Sequence, residues 1–259
     1  MQLTTDRATE QCRVGASGAR AGLVATLVAA SVLALVGPCL APAAGAQPAP
    51  VAPSPPPPAP PAPTGIPLTG PLLASGSTGG EVALFQFRLL ELGFFVNEPL
   101  GRYGESTRHA VVAFQKFNGL KRTGKIDFWT RIGLGVSNVR VAPRRAQPGR
   151  SIDVDLGRQV MIVQSDHRVD AVFDISTGTR ATPTPKGQFT LQRQIKGIRR
   201  SRLGVLYSPK YFTGGYAIHG SPSVPASPAS HGCVRLTNQA INHIWATNLA
   251  PMGTLLTVA

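Results

Sequence analysis

The chain has 259 residues, with 28 glycines, 24 prolines and only 15% charged residues. That is enough for one or two domains with cores of their own, and it is unlike the charge-rich composition of a helical cytosolic protein. A formal charge of +14 draws the surface to polyanions such as anionic wall polymers or membrane headgroups. No Lys/Arg-rich run carries interleaved aromatics, which argues against nucleic acid as a partner.

Arg7, Arg13 and Arg20 precede an apolar, small-residue run over residues 21–36, broken by Gly37-Pro38 and followed by Ala44-Gly45-Ala46. The run falls short of the roughly 20 residues that span a bilayer, and its flanks match a secretory signal with a small-x-small cleavage site. Residues 1–46 therefore read as a signal peptide and the protein as exported, to the cell wall or periplasm. The only membrane partnership expected is through a signal left uncleaved. Residues 47–66 are proline-rich and favour an extended polyproline II spacer. Cys12 and Cys39 lie in the segment expected to be removed, leaving Cys233 as the single thiol. A lone thiol in an oxidising compartment forms an intermolecular bridge, is reactive, or is buried and inert.

Residues 67–138 carry helical periodicity. Val82, Phe85, Leu89 and Leu92 recur at helix spacing, with Gly93 placed as a C-cap; Ala110, Val111, Phe114 and Phe117 form a second apolar face ended by Gly119. Asp127 is placed to cap a third helix carrying Trp129, Ile132 and Leu134. A G-x5-T-R pattern occurs twice, from Gly101 to Arg108 and from Gly124 to Arg131, as two stacked half-repeats of loop and helix would require. The runs VALFQFRLLELGFF, GRYGESTRHAVVAFQKFNGL and GKIDFWTRIGL resemble the small three-helix peptidoglycan-binding domain of wall hydrolases. That resemblance implies docking to glycan or stem peptide.

Residues 139–150 lack periodicity and read as a second linker. From residue 151 to 259 the pattern is strand-like: Ile152, Val154 and Leu156 alternate, residues 160–163 and 169–175 are rich in β-branched side chains, and residues 189–191, 216–218 and 255–258 follow. Only residues 238–248 have helix character, and residues 193–215 read as a long irregular insertion. The fold class expected is multidomain, a small all-α three-helix domain followed by a mostly-β domain.

The chemistry concentrates in Ile218-His219-Gly220-Ser221 and, after a Pro/Ser-rich loop, Ser230-His231-Gly232-Cys233-Val234-Arg235. A free thiol is mostly protonated at neutral pH, so a reactive Cys needs a base or a positive neighbour to raise its thiolate fraction. His231 would share a face with Cys233 if 231–233 were extended. His219, arriving from a neighbouring strand, has the better geometry for proton transfer. Gly232 leaves the N–H groups at 232 and 233 unobstructed, as an oxyanion hole needs. Zinc ligation by His219, His231 and Cys233 lacks a fourth ligand nearby. An inert thiol beside two incidental histidines is a further alternative, and the residue order disfavours a papain-like protease.

Residues 152–259 resemble the L,D-transpeptidase catalytic domain of the YkuD type. The resemblance rests on IDVDLGRQVMIVQ, on Thr184-Pro185-Lys186-Gly187-Gln188-Phe189, and on the His-Gly and Ser-His-Gly-Cys elements. It implies Cys233 as nucleophile and His219 as base, with the Gly220 carbonyl orienting the ring. It also implies substrate contacts from Ser230, His231, Gly232, Arg235 and Tyr216, with Gly232 and Cys233 supplying oxyanion-hole N–H groups. The implied reaction is thiolate attack on a tetrapeptide stem, loss of D-Ala, a thioester, and transfer to an amine as a 3→3 cross-link. Transfer to water, as an L,D-carboxypeptidase, is the alternative, and a non-catalytic wall-binding protein is the rival from another class. No metal or organic cofactor is implied; the partners implied are stem peptides, glycan and carbapenem-type inhibitors.

Overall fold

The computed structural model describes residues 65–137, 140–143, 148–201 and 204–259, all within one compact unit spanning residues 59–259. The expected signal peptide and nearly all of the expected proline-rich linker lie outside the described residues, as do Cys12 and Cys39. Among the described residues no helix is long and apolar enough to cross a membrane.

Three helices come first: α1 (Gly80–Leu92), α2 (Glu105–Phe117) and α3 (Phe128–Val136). Gly93 ends α1 in the left-handed region at φ 97°, a conformation glycine adopts without Cβ cost. The Asp127 side chain caps α3 by accepting from Thr130 N. The repeated pattern has a physical basis. Gln86 on α1 accepts from Gly101 N at 2.7 Å and donates to Thr107 Oγ1 at 2.8 Å. Gln115 on α2 accepts from Gly124 N at 2.9 Å and donates to Thr130 Oγ1 at 3.0 Å. Each half-repeat thus buries one glutamine that ties the Gly and the Thr of the next G-x5-T-R to a helix.

The rest is two β-sheets and one helix. The first sheet has the order β3-β2-β1-β10-β4, from β1 (Arg150–Asp155), β2 (Val160–Ser165), β3 (Arg168–Asp174), β4 (Gly187–Thr190) and β10 (Leu255–Val258). The second has the order β5-β7-β8-β9, with β6 also paired to β7. Its strands are β5 (Arg193–Gln194), β6 (Ile198–Ser201), β7 (Gly204–Thr213), β8 (Tyr216–Ser221) and β9 (Val234–Thr237), followed by α4 (Asn238–Ala246). The chain is therefore a helical region followed by a mostly-β domain.

Strand alternation distributes β2 between two cores. Met161 and Val163 face the second sheet and α4, packing with Phe173, Phe212, Ile218, Leu236 and Ile241. Val160 and Ile162 face the other way and join Phe85, Phe94, Val111 and Phe114 of the helical region. Successive side chains point to opposite faces, so a strand buried on both faces reads as an unbroken apolar run. Backbone bonds reinforce this junction, with Phe95 N to Val172 O at 3.0 Å and Val172 N to Gly93 O at 2.8 Å.

One expectation is corrected. The described residues of 193–215 are not irregular: they include β5, β6 and β7, a flap joined to β8. Pro209, Ser208 at φ 47° and two register shifts in β7 interrupt the two-residue alternation by which a strand is recognised. Residues 231–233 are a bend, not extended chain, because Gly232 takes φ 107°.

Candidate active site

β8 and β9 run parallel, with His219 in register with Arg235. Side chains two apart along a strand share a face, so His219 and Ser221 of β8 project to the same side as Arg235 of β9. Cys233 sits immediately before β9. All four border one cleft of about 280 Å³. Ser230 and His231 border it from the loop, and Arg193, Arg199, Leu206, Tyr211 and Gly215 from the flap and the β7–β8 turn.

His219 is buried, and its Nδ1 lies 2.8 Å from the Gly220 carbonyl oxygen. A carbonyl only accepts, so Nδ1 carries the proton and Nε2 keeps its lone pair. Burial pulls the imidazole pKa down to about 4, against the Gly220 hydrogen bond and with help from the Arg235 charge. Gly220 itself tolerates no side chain: a Cβ there would lie 2.6 Å from Ile241 Cγ2 and 2.8 Å from Tyr207 Cδ1. The ring is therefore held by a backbone group that α4 and β7 clamp in place.

Cys233 is half-buried and is the free cysteine of the described residues. Its Sγ is 3.9 Å from Gly215 O. Burial pushes the thiol pKa up, opposed by a backbone hydrogen bond at Ala217 and by Arg235. The raised thiol and the depressed imidazole both favour an uncharged pair in the resting cleft, rather than a preformed thiolate.

Ser230 borders the cleft and also shapes the loop. Its hydroxyl accepts from Gly232 N at 3.1 Å and donates to Cys233 O at 2.6 Å. The Gly232 N–H is thereby taken up within the loop instead of facing the cleft, which removes it as an oxyanion donor in this state. Gly232 and Tyr216 do not border the cleft. They pack on each other: a Cβ on Gly232 would sit 2.4 Å from Tyr216 Cε1. Gly232→Ala, strained by its positive φ and blocked by that ring, is expected to cost about 1–3 kcal/mol of stability. A denaturant melt checks this.

Several residues in the site lie outside the His-Gly and Ser-His-Gly-Cys elements. Residues 176–182 brace the loop: Thr177 O accepts from Ala229 N and Ser230 N at 2.9 Å each, and Thr179 N donates to Ser230 O at 3.1 Å. Thr182 Oγ1 donates to the same carbonyl at 3.0 Å. Gly178 is fixed by close approach, since a Cβ would lie 2.1 Å from Thr182 O and 2.8 Å from Gly232 Cα. Thr184, first residue of the T-P-x-G-x-F run, accepts from Gly178 N at 2.9 Å. The small-polar run 176–179 following a strand was the available cue. Among the described residues no cluster of three or more His, Cys, Asp or Glu could hold a metal ion.

The model of the L,D-transpeptidase catalytic domain matches residues 149–258, and that of a peptidoglycan-binding domain matches residues 78–131. A crystal structure of the L,D-transpeptidase from Xylanimonas cellulosilytica is 38% identical, with 78% of this chain and 100% of that chain aligned at a TM-score of 0.68. The chain belongs to the L,D-transpeptidase family. A second L,D-transpeptidase structure, from Stackebrandtia nassauensis, is 20% identical over 71% of this chain and 93% of that one, with a TM-score of 0.44. One from Mycobacterium tuberculosis is 21% identical over 43% and 58%, with a TM-score of 0.39. No curated protein matches. A peptidoglycan-binding region joined to an L,D-transpeptidase domain places the activity of this family member at the cell wall.

Proposed function

We propose that this L,D-transpeptidase acylates Cys233 with a tetrapeptide stem and passes the acyl group to an amine of a second stem, forming a 3→3 cross-link. The observation that carries this reading is that His219 and Cys233 border one cleft while the Gly220 carbonyl leaves Nε2 of His219 as the free acceptor. Nε2 takes the thiol proton as sulfur attacks the carbonyl between the diamino acid and D-Ala. The imidazolium then gives that proton to the departing D-Ala amine, leaving a thioester. In the second half the incoming amine loses a proton to Nε2, attacks the thioester, and the sulfur leaves as a thiol. The Cys233 N–H is the oxyanion donor within this reading, and His231 and Arg235 contact the stem. No cofactor enters either half. Water in place of the amine gives L,D-carboxypeptidase action through the same first half.

The cleft wall supports an anionic substrate. Arg193, Arg199 and Arg235 border it, with no carboxylate among its lining residues, and Arg193 is stacked 3.9 Å over the Tyr211 ring. Stem carboxylates fit that charge. Arg193→Gln combined with Arg199→Gln is expected to raise KM for a soluble stem about tenfold with kcat nearly unchanged, read from steady-state rates. Export ahead of the proline-rich spacer fits the same assignment.

The deciding experiment incubates the purified protein with a tetrapeptide stem, and separately with a carbapenem, and weighs it intact. An adduct mapped to Cys233, together with cross-linked dimers in the muropeptide products, is the expected result. No adduct from either reagent overturns the enzymatic reading and leaves a wall-binding protein.

A further inference from the structure

The helical region reaches the Cys233 loop through a buried hydrogen-bonded chain that begins at Lys116 of α2. Its ammonium is fully buried, as is its partner Asp174 at the end of β3. Nζ donates to Asp174 Oδ1 at 2.5 Å, to Ile175 O at 2.8 Å and to Gln159 O at 3.1 Å. The other Asp174 oxygen lies 2.6 Å from His109 Nδ1, also on α2. A lysine this deep is tolerated only when every N–H finds an acceptor, and here the three acceptors lie on two separate stretches of the β domain.

Those stretches lead directly to the site. Gln159, held at a positive φ of 61°, turns its side-chain amide onto Thr177, donating to Oγ1 at 2.6 Å and accepting from the backbone N at 2.9 Å. Thr177 O then receives Ser230 N at 2.9 Å, and Ser230 Oγ holds Gly232 N and Cys233 O. Ile175 is followed by Ser176, which exchanges two backbone bonds with Arg235 at 2.9 and 3.1 Å. Both routes from the ammonium therefore end on the residues flanking Cys233.

We propose that Lys116 is a positioning residue for the Cys233 loop, so that the wall-binding helices are a structural part of the catalytic unit and not a tethered anchor. This rests on the reading of Cys233 as the acylated group. The physical reason is that the β1–β2 turn and the end of β3 have no other buried cation to hold their inward carbonyls and carboxylate together among the described residues. Without Nζ, the Gln159 carbonyl keeps only the longer bond from Ile175 N at 3.3 Å, so the left-handed residue that clamps Thr177, and through it Ser230, is held more loosely.

The test uses the full chain with a soluble stem, for which wall docking is irrelevant. Lys116→Met alone takes the ammonium from a buried carboxylate that keeps His109 as its side-chain partner, so the informative variant is Lys116→Met with Asp174→Asn, which removes both charges at nearly constant volume. The rate constant for Cys233 acylation at saturating stem is expected to fall at least tenfold, with the half-saturating stem concentration within twofold of wild type. Hydrogen exchange should speed up at the amides of Thr177, Ser230 and Arg235 and stay unchanged at Ile162 in the β1–β2 ladder. Acylation at the wild-type rate, or faster exchange spread over the whole sheet, overturns the inference. Failure of the wild-type protein itself to acylate sinks the transpeptidase reading instead, which keeps the two failures distinct. Should the double variant not fold, Gln159→Leu cuts the chain one link further on, and the same rate and exchange outcomes decide.

Discussion

Cys233→Ala is expected to leave a folded protein that forms no thioester, with acylation by a tetrapeptide stem reduced by at least about four orders of magnitude. The fold should survive because Sγ is half-buried and its side-chain contact to Gly215 O is a long one of 3.9 Å. The bonds that shape the loop run instead through Ser230 to Gly232 N and Cys233 O, and Ala retains that backbone. Removing the sulfur therefore takes away the atom proposed to attack, with a stability change expected within about 1 kcal/mol. Intact mass after incubation with stem, beside a thermal melt, separates the two effects. Acylation by the variant at a wild-type rate would mean that another residue carries the acyl group.

His219→Gln should be nearly as damaging, with acylation slowed by about 10² to 10⁴-fold and the stem still bound. The glutamine fills much of the ring's volume but offers no group that takes up a proton. The pH dependence follows from the imidazole, whose pKa burial lowers to about 4. In wild type Nε2 is then free from neutral pH down to about pH 5, and the acylation rate should fall as pH approaches 4. Stability carries the same signature. Between about pH 6.5 and 4 the unfolded chain binds a proton at residue 219 that the native state does not, so native stability decreases as pH is lowered through that window. The loss is on the order of 3 kcal/mol, and His219→Gln should abolish this component of the slope. The thiol gives an independent check. With burial holding its pKa up, the ultraviolet thiolate absorption of wild type minus Cys233→Ala should be absent at neutral pH. A thiolate band there would indicate a preformed ion pair.

Much of this molecule was legible in its residues because the relevant signals are local. Helix caps at Gly93 and Asp127, the two G-x5-T-R units, the alternating strand at Ile152 and Val154, and the closing strand at residues 255–258 each depend on neighbours a few positions away, and each stands in the fold where the spacing put it. The same holds for the chemistry at the level of residue type: a histidine and a cysteine fourteen positions apart by number border one cleft because β8 and β9 are parallel neighbours.

What the spacing could not express was anything set by contact between distant segments. β7 escaped notice because Pro209 and two register shifts break its alternation, and only pairing to both β6 and β8 makes it a strand. Gly232 N–H was expected to face substrate, yet Ser230 Oγ takes it, a choice made by the loop's bend and by Tyr216 against the glycine. The state of the thiol and imidazole follows from burial, which no count of intervening residues reveals.

The amino-acid sequence by itself determined the order of the helices and of the strands with unbroken alternation, the repeated helical half-units and the residue types at the site, since these follow from side-chain periodicity and backbone preference over short distances. The tertiary structure alone decided that β2 is buried on both faces, that the helical region shares a core with the β domain, and that Lys116 and Asp174 meet in its interior. Those outcomes depend on desolvation and close packing between residues far apart in the chain, and such energies exist only once the segments have come together.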